Sequence, residues 1–201
     1  KPIALAMDEN IKAIGLPEWS EDDQKFALAL QNLMDSEEKN GLATKLEGIR
    51  EPPIDPISGG SDDIGDVSWV VPTVTLRFPS NVKGLQGHHW SSSMAMATPI
   101  AHKGATAGAK VLAATMLDLY QDKALREDAW IYFREEQSEG VQYKPFIGLN
   151  DSPAIEKNRA IMNEFRDRLE PLYYDPKRYR TYLEQLGINY PQLKKPSTTD
   201  P

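Results

Sequence analysis

Apolar residues fall at helical spacing along much of the chain and crowd together in one short stretch. Phe26, Leu30, Leu33 and Met34 follow Ser20 and the acidic run Glu21, Asp22 and Asp23. A serine cap, carboxylates in the first turn and apolar residues three and four apart predict a surface helix. It should end near Asn40 and Gly41, where the pattern turns polar and glycine offers a left-handed cap. From 51 to 60, Pro52, Pro53 and Pro56 remove backbone donors and bias their predecessors toward extended geometry, so regular helix is excluded.

Residues 69–78, from Trp69 and Val70 to Arg77 and Phe78, concentrate β-branched and aromatic side chains, the composition of a strand with Pro72 near its start or at an edge. A polar loop from 79 to 87 then delivers the chain to Gly87, His88, His89 and Trp90. From 99 to 120, small residues such as Ala101, Gly104, Ala105 and Gly108 give way to Val111, Leu112, Met116 and Leu119 on one face. That pattern predicts a helix lying close against a sheet, with its first turns buried. Another helix is expected from the Ser152 cap and Pro153 through Ile155, Met162, Phe165, Leu169 and Leu172, and a short one from 176 to 186. The tail from 191 to 201 is polar and should wrap the surface or fray. Together these elements predict an α/β fold in three layers, α/β/α, with a mixed, mostly parallel sheet that holds the 69–78 strand under the 100–120 helix.

Composition narrows the chemistry. A chain of 201 residues with 40% hydrophobic content can bury a core. It has no cysteine, which removes disulfides, thiolate nucleophiles and sulfur-ligated metal sites, so only nitrogen and oxygen ligands remain. A net charge of −7 without a basic stripe argues against a broad nucleic-acid contact. No apolar run approaches the roughly 20 residues needed to cross a bilayer, and no charged-then-apolar leader opens the sequence. The first residue is Lys1, so a processed, truncated or carboxyl-terminal piece of a longer chain is expected.

The stretch Gly59, Gly60, Ser61, Asp62, Asp63, Ile64, Gly65 and Asp66 is a glycine-opened acidic loop. Its three carboxylates repel one another and need backbone donors, cations or a metal to offset them. An acidic surface turn is the plain alternative. The spacing does not fit an EF-hand, which wants acids at alternate positions and a closing glutamate. Acids placed behind a metal-bound histidine are a further use. His88 and His89 are two of three histidines, and neighbours on a strand point to opposite faces, so at most one serves as a ligand. His102, at the opening of a helix, suits a cap or packing role. One good ligand falls short of the roughly three or four that a zinc site takes from the protein. No Gly-x-Ser-x-Gly elbow, Walker loop or dinucleotide fingerprint appears.

The runs 60–73 (Gly60, Ser61, Asp62, Asp63, Ile64, Gly65, Asp66 and on to Pro72 and Thr73), 87–90 and 100–104 share an order and spacing with a known group. They resemble the B-type subunits of p-aminobenzoyl-glutamate hydrolase, within the aminoacylase and carboxypeptidase group of dinuclear-metal amidohydrolases. Ile14, Gly15, Leu16 and Pro17 and the helix after them are similar too, and the likeness weakens beyond residue 150. The resemblance implies that residues 1–150 are the carboxyl-terminal part of a metallopeptidase-like catalytic domain and that 151–201 are a helical extension and tail packing on it. It implies a hydrolase for amides joining an acyl or aroyl group to an amino acid, with two divalent ions, zinc or manganese, in the intact enzyme.

The upstream ligands and general base of that group have no counterpart here, so no catalytic residue is expected in this chain. Alone it should be inactive, with the option that it binds no metal. His88 falls on the group's last histidine ligand, while His89 stands where the group has a small residue. Ser61, Asp62, Asp63, Asp66 and His89 fall on the loops lining the site, with Asp63 the acid expected to point inward. The resemblance also implies homo-oligomerisation through a lid domain missing here, an A-type partner subunit, and a cytoplasmic location, with the periplasm open to a chain that has lost a leader. A half-domain would leave a sheet edge and apolar surface open, so a missing half or a partner is expected. The alternatives are a non-catalytic binding or scaffold protein that keeps the fold without the metal, and a free-standing interaction module.

Overall fold

The computed structural model describes residues 1–50, 62–191 and 193. The chain forms two compact units, Lys1–Tyr143 joined by Leu193, and Lys144–Gln192. The first unit contains α1 (Pro2–Ile14), α2 (Glu21–Leu33), α3 (Ile64–Ser68), α4 (Trp90–Met96), α5 (Pro99–Gln121) and α6 (Lys123–Tyr132), followed by a π-helical turn at Phe133–Gln137. In the second unit α7 (Arg159–Leu169) lies between 3₁₀ turns at Ile155–Asn158 and Glu170–Leu172, and α8 (Tyr182–Gln185) follows.

The expected three-layer α/β/α fold is not what the chain adopts, because the elements of the described residues are all helical. Trp69, Val70 and Val71 close α3, their amides bonding to the carbonyls of Asp66 or Val67. Residues 72–80 run extended without a ladder. Strand propensity measures how well a residue suits a pleated, half-buried surface, and no second strand among the described residues supplies that surface.

Local signals fared better. Ser20 caps α2 in a capping box, its hydroxyl accepting from the Asp23 amide while the Asp23 carboxylate accepts from the Ser20 amide. The helix stops at Leu33, before the expected Asn40 and Gly41, because Asp35 turns left-handed at φ 47°. A short polar side chain tolerates that turn better than most. Ala27 and Leu30 of α2 meet Leu42, Val82, Ala95 and Ile100 in the core, with Trp19, Phe26, Met34 and Leu85 around them. Gln31 is fully buried there, donating to the carbonyls of Lys83 at 3.0 Å and Gly41 at 3.3 Å and accepting from the Gly41 amide at 2.8 Å.

The long helix α5 spans the expected residues but buries a different face. Ile100, Gly104, Gly108, Val111 and Thr115 are inside, whereas Leu112 and Met116 are exposed. The reason is a close approach of backbone to helix. A Cβ on Gly104 would lie 1.9 Å from the Pro79 carbonyl oxygen, and one on Gly108 would lie 3.2 Å from Phe78 Cβ. The extended segment therefore lies on the glycines, not on the larger apolar residues. Helix α1, unforeseen in the sequence, packs against α5 and α6 through buried Ile3 and Met7. Its Asn10 donates to Asp118 at 2.6 Å and Thr115 at 3.3 Å.

In the second unit α7 starts at Arg159, later than the Ser152 cap, and buries none of its residues. The helix expected from 176 to 186 shrinks to α8, where the Thr181 hydroxyl accepts from the Glu184 amide. No helix of the described residues is long and apolar enough to cross a membrane.

Candidate functional site

The acidic run does not lead straight into a strand; it folds into the short helix α3. Ser61 lies outside the described residues. Asp62 is occupied locally, its carboxylate accepting from the Ile64 amide at 3.0 Å. Asp66 accepts a hydrogen bond from the Tyr143 phenol. That bond favours the neutral phenol and, with some burial and the nearby carboxylate charge, pushes Tyr143 above its ordinary value. Asp63 sits at the start of α3, exposed, with no side-chain capping bond. It borders an open cleft of about 280 Å³ whose other walls are Ile64, Val67, Leu112 and residues 73–76.

The two adjacent histidines occupy a turn and not a strand, and they do different things. His88 is exposed and left-handed at φ 55°. This conformation costs an ordinary residue roughly 1 kcal/mol. His89 caps α4. Its Nδ1 lies 3.3 Å from the Ser91 amide it accepts from and 2.9 Å from the Ser91 hydroxyl, and its ring leans on Trp90 at 5.2 Å. An Nδ1 that accepts from an amide leaves the ring proton on Nε2, so His89 offers no free lone pair while it caps. His102 is exposed in the first turn of α5.

Among the described residues no hydrogen bond or ion pair joins either histidine to the acidic turn, and neither lines the cleft beside Asp63. No group of three or more His, Asp or Glu side chains there could hold a metal ion. By themselves, these residues do not fit a dinuclear metal pair. Long-range partners were beyond sequence reasoning. Lys103 reaches across 80 residues to a fully buried Asp23 at 2.6 Å and also donates to the Glu18 carbonyl at 3.0 Å. Gln137 and Tyr143, which hold α3, carried no sequence signal beyond being polar.

Over 145 residues the chain is 28% identical to the B-type subunit of p-aminobenzoyl-glutamate hydrolase from Escherichia coli (strain K12). This alignment covers 61% of the chain but 30% of that relative, so the chain spans under a third of its length. No family model matches, and no solved structure matches. A hydrolase subunit is thus what this chain is similar to. Its name implies an assembly with another kind of subunit.

Proposed function

We propose that this chain is part of a metal-dependent hydrolase that cleaves the amide between an acyl or aroyl group and an amino acid, as in p-aminobenzoyl-glutamate or an N-acyl amino acid. The observation that carries the reading is the 145-residue similarity to a hydrolase subunit. In this reading His88 supplies one imidazole to a ligand set completed by residues outside those described. The left-handed turn supports the choice, since it holds an exposed ring off the chain at a conformational cost that no packing contact explains. His89 supports the turn by capping α4. Asp63 is the acid offered to the cleft, with the apolar walls suited to an aroyl or acyl group. The partners belonging to the proposal are a second, A-type subunit and further copies of the chain, and the ions are zinc or manganese.

The test compares His88→Ala with His89→Ala in the intact protein, following hydrolysis of p-aminobenzoyl-glutamate and bound zinc and manganese. Loss of a ligand should cost at least the roughly 10- to 100-fold that even outer-sphere partners of a metal contribute. Loss of the cap should cost about 1 kcal/mol of stability and leave rate and metal content near the parent's. Unchanged rate and metal content in His88→Ala would leave a non-catalytic relative that keeps the fold.

A further inference from the structure

The helix that carries the acidic turn has little to hold it in place. α3 is five residues long and buries none of them. An isolated helix of that length does not persist in water. Its position therefore depends on what reaches it from elsewhere in the chain. Among the described residues two long-range hydrogen bonds do so, and both come from one short segment. Gln137 Nε2 donates to the Ser68 carbonyl at 2.8 Å, across 69 residues. The Tyr143 phenol donates to Asp66 Oδ1, across 77 residues.

That segment has a firm base. Ala129 and Phe133 are buried, Trp130 meets Phe133 edge-on, and the π-helical turn widens the helix end at Gln137. Ser138 closes the turn, its amide and hydroxyl both donating to the Phe133 carbonyl, at 2.9 and 2.7 Å. Gly140 then adopts φ 69°, and the chain comes back to Tyr143. Without the π turn, the residue at 137 would point along a different helical direction.

We propose that Gln137 and Tyr143 are positioning residues that pin α3 beside the cleft and engage Asp66, so that Asp63 is the acid presented to a bound substrate. The three acids are thereby sorted. Asp62 is turned onto its own backbone, Asp66 onto Tyr143, and Asp63 faces the cleft. What Asp63 meets there rests on the hydrolase reading; the clamp does not.

The test is amide hydrogen exchange on the full chain, at Val67, Val70 and Val71, whose amides bond to the Asp63 and Val67 carbonyls. Tyr143→Phe and Gln137→Ala should each speed exchange at these amides about 2- to 10-fold, the equivalent of one net hydrogen bond. Amides of α2 should not change, and the Tyr143→Phe effect should vanish in an Asp66→Ala background, because the phenol acts through that carboxylate. Parent-like exchange at α3 in both variants, equal acceleration in α2, or a Tyr143→Phe effect that persists with Ala at 66 overturns the proposal. Hydrolysis of p-aminobenzoyl-glutamate is measured on the same samples, where Tyr143→Phe should lower kcat several-fold with thermal stability unchanged. If the parent protein shows no hydrolysis while the exchange pattern appears, the clamp stands and the hydrolase reading fails.

Discussion

Two helices of this chain open on a run of carboxylates, and they use them in opposite ways. In α2, Asp23 is fully buried, closes the capping box with Ser20 and pairs with Lys103. In α3, Asp62, Asp63 and Asp66 are all exposed, and Asp63 faces an open cleft. The residue type is the same; burial and partner decide its role. A buried carboxylate with donors on two sides fixes structure, since its desolvation is offset only while both remain. An exposed carboxylate near an apolar cleft stabilises little and is free to meet a ligand.

The contrast breaks most visibly through substitution. Asp23→Ala removes a cap and leaves Lys103 without its carboxylate, so chemical denaturation should show a loss of about 3 kcal/mol. The lower end of the buried-pair range applies because the Lys103 side chain is 36% exposed. Asp63→Ala should stay within about 0.5 kcal/mol of the parent. Similar losses at both positions would erase the distinction.

A smaller effect sharpens it through pH. The phenol of Tyr143 titrates above its ordinary 10.0, because its neutral form donates to Asp66. A group whose folded pKa is raised contributes fully below its unfolded value and loses that contribution as pH rises through the folded one. The Tyr143 contact should thus be intact at neutral pH and open only in alkali above pH 10.0. The Tyr143 ring resonance in isotopically labelled protein reads this directly, and Asp66→Asn should bring its midpoint back toward the free phenol.

Local rules made part of this legible. Ser20 and the acids after it marked α2, and Pro99 with the small residues behind it marked α5, because caps and helical spacing act within a turn or two. The 69–78 segment misled because β-branched residues record a preference that only a neighbouring strand can satisfy. The buried face of α5 was misjudged because Gly104 and Gly108 have no side chain to count as apolar, yet a backbone lies on them. Asp23 with Lys103, and Gln137 with Ser68, join residues 80 and 69 apart, a separation at which no local pattern operates. At the site, the resemblance singled out His88, and the structure added what distinguishes it from His89: one ring caps a helix, and the other stands on a left-handed turn.

That turn gives the most direct test of the claim that His88 serves chemistry and not the fold. Glycine accepts a φ of 55° without strain, and the relief offsets its greater freedom in the unfolded chain. His88→Gly should therefore keep stability within about 0.5 kcal/mol of the parent. Its hydrolysis of p-aminobenzoyl-glutamate and its bound divalent metal should both collapse in the intact protein. Parent-like hydrolysis and metal content in a folded His88→Gly protein would contradict the account.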